Sequence, residues 1–147
     1  MQITSSAIDS KEFILEKYTC QGENVNPPLT FSEIPEGAKS LVLIMDDPDA
    51  PSGTYVHWIL YNMSPATIQV NENALPPASL EGLTTKGDKG YKGPCPPEGQ
   101  THHYYFKLYA LNKELDLKEG VSIDEINEAI EDSVIEQCEI IGLYKKN

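Results

Sequence analysis

Residues 39–62 read KSLVLIMDDPDAPSGTYVHWILYN. The segment opens with a short, continuous apolar run that ends in acids, the pattern of a central strand delivering its C-terminal end to a loop. In DDPDAPSG the prolines and the glycine favour a stiff, non-helical path. TYVHWILYN then resumes a β-rich composition of Tyr, Val, Trp and Ile. The stretch therefore predicts strand, rigid loop, strand, and it crowds three carboxylates, Asp46, Asp47 and Asp49, ahead of His57.

Working outward, residues 63–101 carry Pro65, Pro76, Pro77, Pro94, Pro96 and Pro97 and show no hydrophobic period, so long structured loops are expected there. Inside them lies GDKGYKGPCPPEG, whose Tyr91 and proline density favour an ordered, functional loop. HHYYFKLYAL alternates strictly, placing His102, Tyr104, Phe106, Leu108 and Ala110 on one face of a strand. SIDEINEAIEDSVIEQC reads as the one helix, with Ser122 and Glu125 as a capping box and Ile123, Ile126, Ile130 and Val134 as its apolar stripe. A last strand is expected over EIIGLYKK. The pattern predicts a mainly β fold, a sandwich of antiparallel strands with one short C-terminal helix, in a single domain spanning 1–147.

Composition narrows the functions. With 147 residues and 39% hydrophobic content the chain can bury one core, and no apolar run approaches the length of a membrane span. A net charge of −12 argues against nucleic acid, whose phosphates are met by clustered Lys and Arg. MQITSSAIDSKEF lacks the basic start and apolar stretch of a secretory signal, so a cytoplasmic location is the default expectation. Cys20, Cys95 and Cys138 are odd in number and far apart, without CxxC spacing, so reduced thiols are expected, with no disulfide framework and no zinc cluster.

All three histidines fall in the two segments already singled out. If the loops meet, Asp47, Asp49, His57, His102 and Tyr104 converge. A metal is disfavoured because no HxH or HExxH spacing fixes a set of ligands. A nucleophilic triad is disfavoured because GxSxG is absent and only Ser52 and Cys95 lie near. A hydrolase using Asp47 or Asp49 with His57 remains as a minor alternative. An anion pocket accounts for more of the composition. Glycines admit a ligand to backbone N–H groups, prolines stiffen the walls, and His and Tyr donate to phosphate oxygens. A carboxylate on one ring nitrogen of a histidine would raise its pKa and aim the other nitrogen at the ligand.

Three segments together resemble one known family. DPDAPSG…HW (Asp47 to Trp58), GYKGPCPPEG…HHYYFKLYAL (Gly90 to Leu111) and YTCQGENVNPPLTF (Tyr18 to Phe31) are similar to the phosphatidylethanolamine-binding proteins, the family of Raf kinase inhibitor protein, and most of all to its bacterial and archaeal YbhB/YbcL branch. The resemblance implies a two-sheet antiparallel β-sandwich with Greek-key connections and a small pocket near one end. Its ligand-binding residues would be Asp47, Asp49, Pro51, His57, Gly93, Pro94, His102 and Tyr104. It implies a binding or regulatory protein, not an enzyme, with no cofactor and no metal. The partners to consider are a phosphate-like anion or phosphorylated head group, a kinase or protease that the protein modulates or inhibits, and a second copy in a homodimer. Departures fall at His103, where the family commonly has Arg, at Phe31 for Trp, and at Thr84 and Thr85 for an Asn-Asp pair, which puts the anchoring of that loop in question.

Overall fold

The computed structural model describes residues 1–147. Its strands are β1 (Gln2–Thr4), β2 (Leu29–Ser32), β3 (Ser40–Asp47), β4 (Tyr55–Met63), β5 (Gln69–Val70), β6 (Leu80–Glu81), β7 (Thr101–Leu111) and β8 (Val134–Lys145), with one helix, α1 (Ile123–Ile130). They form a three-stranded sheet ordered β1-β2-β5 and a five-stranded sheet ordered β6-β4-β3-β7-β8. Every pairing between strands is antiparallel. Within the larger sheet β7 returns to lie beside β3 while β4 and β6 follow on the other side, the order of a Greek key.

The apolar run of β3 is continuous because both of its faces are covered, and all eight of its residues are buried. Leu41, Leu43 and Met45 pack with Trp58, Phe106, Leu108, Leu29 and Phe31 between the two sheets. Val42 and Ile44 face the other way, onto a second core made with Ile59, Tyr61, Leu115, Ile126 and Ile130 beneath the helix. The alternation expected for β7 is present, with His102, Tyr104, Phe106, Leu108 and Ala110 all buried.

Two expectations are corrected. The helix begins as predicted, with the Ser122 hydroxyl accepting from the Glu125 N–H at 3.2 Å, but it ends at Ile130 and not near Cys138. Glu131 and Asp132 follow its last turn, where negative charge opposes the helix dipole. From Val134 onward the chain pairs with the whole length of β7, from Leu111↔Val134 to Thr101↔Lys145, so strand pairing overrides the helical period. The second correction lies in the proline-rich stretch, which contains two short strands, β5 and β6, each pairing at two positions.

Candidate functional site

The position of His57 follows from a register slip. Met45 pairs with Trp58 and Asp46 with Val56, which leaves His57 as the extra residue of a β-bulge. Val56 and Ile59 therefore pack on the helix side and Trp58 in the inter-sheet core. His57 turns toward the β7 face, where its ring meets the Tyr104 ring edge-on at 5.3 Å and the Tyr55 ring at 4.7 Å. Thr85 fastens the strand beside the bulge: its hydroxyl accepts from Val56 N at 2.7 Å, and its N–H donates to the Val56 carbonyl at 3.1 Å. The Thr84–Thr85 departure thus supplies an anchor.

The acids and histidines pair differently from the simplest expectation. Asp47, buried, accepts from His102 Nδ1 at 2.7 Å through Oδ2 and from the Asp49 N–H at 2.8 Å through Oδ1. His102 Nε2 lies 3.2 Å from Gln100 Oε1. Asp49 instead binds His103, accepting from its N–H at 2.8 Å and its Nδ1 at 2.7 Å on the exposed surface. These bonds hold the Asp49 carboxyl below its usual range, and they tie His103, the residue in the arginine position, to Asp49. No carboxylate bonds His57. Its Nδ1 donates to the Lys92 carbonyl at 2.6 Å, and its backbone carbonyl accepts from Lys92 N at 3.0 Å. Burial pushes the His57 pKa down, with partial compensation from the Lys92 carbonyl and from the charge of Asp47. The expectation that a carboxylate charges this histidine is therefore corrected: the bulge carries its ring to the 91–97 loop, where a backbone carbonyl meets it.

That loop is stitched down along its length. The buried Tyr91 hydroxyl donates to the Tyr18 carbonyl at 2.7 Å, and its ring meets Trp58 edge-on. Gly93 N–H donates to Asn24 Oδ1 at 2.9 Å, so it is already engaged within the wall. A Cβ at Gly93 would collide with Asn24 Oδ1 and the Tyr18 carbonyl, so glycine is required by close packing. Cys20 N donates to the Pro94 carbonyl at 3.1 Å, and Cys20 and Cys95 form a disulfide across this seam with Cα atoms 5.4 Å apart. The expectation of reduced thiols is thereby corrected; only Cys138 is free. A bridge between residues so distant in sequence is invisible to spacing rules. Such bridges persist in oxidising compartments and in intracellular proteins of hyperthermophiles.

These elements enclose a cavity of about 310 Å³. Six of the predicted residues line it: Asp47, Pro51, His57, Gly93, His102 and Tyr104. Asp49 and Pro94 stand outside, Asp49 with His103 and Pro94 through its bond to Cys20. Tyr55, Lys92, Asn24 and the disulfide also line the cavity and were not singled out as ligand residues in the sequence. The Tyr104 hydroxyl is fully buried here without a hydrogen-bond partner. Burial and the nearby Asp47 and Asp49 charges raise its pKa, so it stays protonated and can donate. Lys92 directs its ammonium to Asp88 at 3.2 Å.

The architecture and site define a β-sandwich with a compact His/Tyr/Asp pocket at one end of its larger sheet. The family model for phosphatidylethanolamine-binding protein matches residues 4–145. A UPF0098 protein of Methanothermobacter thermautotrophicus is 43% identical over 151 residues, spanning 99% of both chains. One from Chlamydia trachomatis is 44% identical across 100% of both. Among solved structures, a phosphatidylethanolamine-binding protein homolog from Chlamydia trachomatis superposes with a TM-score of 0.93 at 43% identity, over 99% of this chain and 97% of that one. Escherichia coli YbcL, described as a member of the mammalian family, gives 0.91 at 30% identity over 99% and 98%. The chain belongs to the phosphatidylethanolamine-binding protein family, a family of binding proteins. No helix is long and apolar enough to cross a membrane.

Proposed function

We propose that the cavity binds a phosphate-like anion, carried on a phosphorylated small molecule or a lipid head group, and that the protein acts by binding and not by turnover. The observation that carries this is the convergence of His57, His102 and Tyr104 on one cavity, with His102 bonded to the buried Asp47. His57 and His102 flank it on rigid strands, and the Asp47–His102 bond fixes one ring. A hydrolytic use of Asp47 or Asp49 with His57 draws no support, since each acid is bonded to a different histidine. The test is a titration with inorganic phosphate followed through the imidazole NMR signals. Saturable shifts at His57 and His102 that weaken in Tyr104→Phe support the proposal; an absence of shifts in the wild type refutes it.

Modulation of a kinase or protease is the second reading. It is favoured by the rigid build of the pocket mouth, where exposed Pro51 and Pro97 flank the loop held by the Cys20–Cys95 bridge. Stiff exposed loops lose little entropy on entering a partner's cleft. Inhibition of a panel of purified kinases and proteases, with a Pro51→Gly/Pro97→Gly variant alongside, tests it. No inhibition across the panel, or equal inhibition by the loosened variant, counts against a loop-centred contact.

A further inference from the structure

The cavity wall is fastened unevenly on the two sides of the Cys20–Cys95 bridge. Upstream, every residue from Tyr91 to Pro94 is bonded to another part of the chain: the Tyr91 hydroxyl to Tyr18, Lys92 to His57, Gly93 N–H to Asn24, and the Pro94 carbonyl to Cys20 N–H. Downstream, the next such bond runs from Gly99 N–H to the Lys146 carbonyl at 2.9 Å. Between them, residues 95–98 make no hydrogen bond outside their own turn, in which Gln100 N–H donates to the Pro97 carbonyl at 3.0 Å. Pro96 and Pro97 have no N–H to give. Apart from the packing of buried Pro96, the bridge is what ties this segment down. Cys95, Pro96 and Pro97 all line the cavity, as does Cys20. The two ends of the bridge differ. Cys20 is half-buried in a turn held by Thr19 N–H on the Glu16 carbonyl, by Gly22 N–H on the Thr19 carbonyl, and by Gln21 on Tyr144 and Asn147. Cys95 is exposed. Movement on opening the bridge therefore falls on the Cys95 side, and Cys95 is the approachable end.

We infer that the bridge is a thiol-responsive latch on the cavity: intact, it holds residues 95–98 in the wall, and its reduction by a dithiol frees them and widens the mouth. The latch operates whatever ligand the cavity takes, so it goes beyond the binding reading above. One thiolate of the reductant attacks Cys95 Sγ; a mixed disulfide forms, and Cys20 leaves as a thiolate that takes up a proton. The second thiolate then attacks the reductant's own sulfur in the mixed disulfide and releases Cys95. The dithiol departs as a disulfide, oxidised by two electrons, and the protein is left with two thiols. The bonds from Tyr91 to Pro94 do not depend on the bridge, so that part of the wall stays in place. Gln100, whose Oε1 lies 3.2 Å from His102 Nε2, is anchored through the released turn, so the opening also reaches a histidine of the cavity.

The test compares the folded, intact protein before and after treatment with dithiothreitol, which is then removed without air. Amide hydrogen exchange reads the segment, and modification of histidines by diethylpyrocarbonate reads the cavity. Reduction is expected to speed exchange at Gly99 and Gln100 by roughly 10-fold or more, toward the rates of a mobile loop, with Lys92 and Gly93 remaining slower than either. Modification of the buried His57 and His102 is expected to rise relative to that of exposed His103. A Cys20→Ser/Cys95→Ser variant should match the reduced protein and show no further response to dithiothreitol. Unchanged exchange at Gly99 and Gln100, or an unchanged ratio of histidine modification, overturns the latch. So does exchange at Lys92 and Gly93 as fast as at Gly99, which would mean that the whole seam unfolds, or an equal response to dithiothreitol in the serine variant.

Discussion

Breaking the Cys20–Cys95 bridge by substituting both residues with serine should lower stability by about 4 kcal/mol. The bridge closes a loop with a sequence separation of 75, and cross-linking a loop of that size removes about 15 cal/mol/K from the unfolded chain, or about 4.5 kcal/mol at 25 °C. The native side of the balance changes little, because the same seam keeps the Cys20 N–Pro94, Gly93 N–Asn24 and Tyr91 hydroxyl–Tyr18 hydrogen bonds. At about 2–4 °C per kcal/mol for a chain of this size, the melting temperature should fall by roughly 10–15 °C. The assay is urea unfolding of wild type and variant, read by the circular dichroism of the sheets, with near-native spectra for both before unfolding. Denatured wild type without reductant should titrate one thiol per chain, from Cys138. A stability loss below about 1 kcal/mol would refute the loop-entropy reasoning. Three reactive thiols in the denatured wild type would refute the bridge itself.

Gly93→Ala pushes a methyl group into Asn24 and the Tyr18 carbonyl; a loss of about 1–3 kcal/mol in urea unfolding is expected, and an unchanged midpoint would show that the seam yields. The lowered His57 pKa means the folded state binds fewer protons than the unfolded one. Stability from this group is therefore full above about pH 6.5 and is lost as the pH falls toward the folded value. Urea midpoints measured across that window should fall with acidification in wild type and less so in His57→Gln; parallel profiles would contradict the assignment. His103→Ala removes only an exposed contact to Asp49, and its effect on stability should stay below about 1 kcal/mol. A larger loss would mean that the Asp49 turn supports the pocket more than its exposure indicates.

The parts of the fold that were legible in the sequence are those governed by local pattern. Strict alternation in β7 placed His102 and Tyr104 on the buried face, and the unbroken apolar run of β3 matched a strand covered on both sides. The capping box located the start of the helix. Its end was missed because strand pairing with β7 outweighs a helical period that Val134 happens to continue. The candidate site shows the same division. Asp47, His57, His102 and Tyr104 stood out as a chemical cluster, but the partner of each ring depends on the bulge at His57, and one extra residue in a pairing register leaves no mark in composition. Lys92 contributes to the site through its backbone carbonyl, a group every residue carries, so no side-chain pattern could reveal it. Asn24 and Cys20 reach the cavity only because the 91–97 loop folds back on them.

The most direct test of phosphoryl binding is a crystal structure of the protein soaked in methyl phosphate. A phosphoryl group in the cavity, with oxygens within hydrogen-bonding distance of the His57, His102 or Tyr104 side chains, is the expected result. An empty cavity at saturating ligand, or a phosphoryl group held elsewhere on the surface, would contradict it.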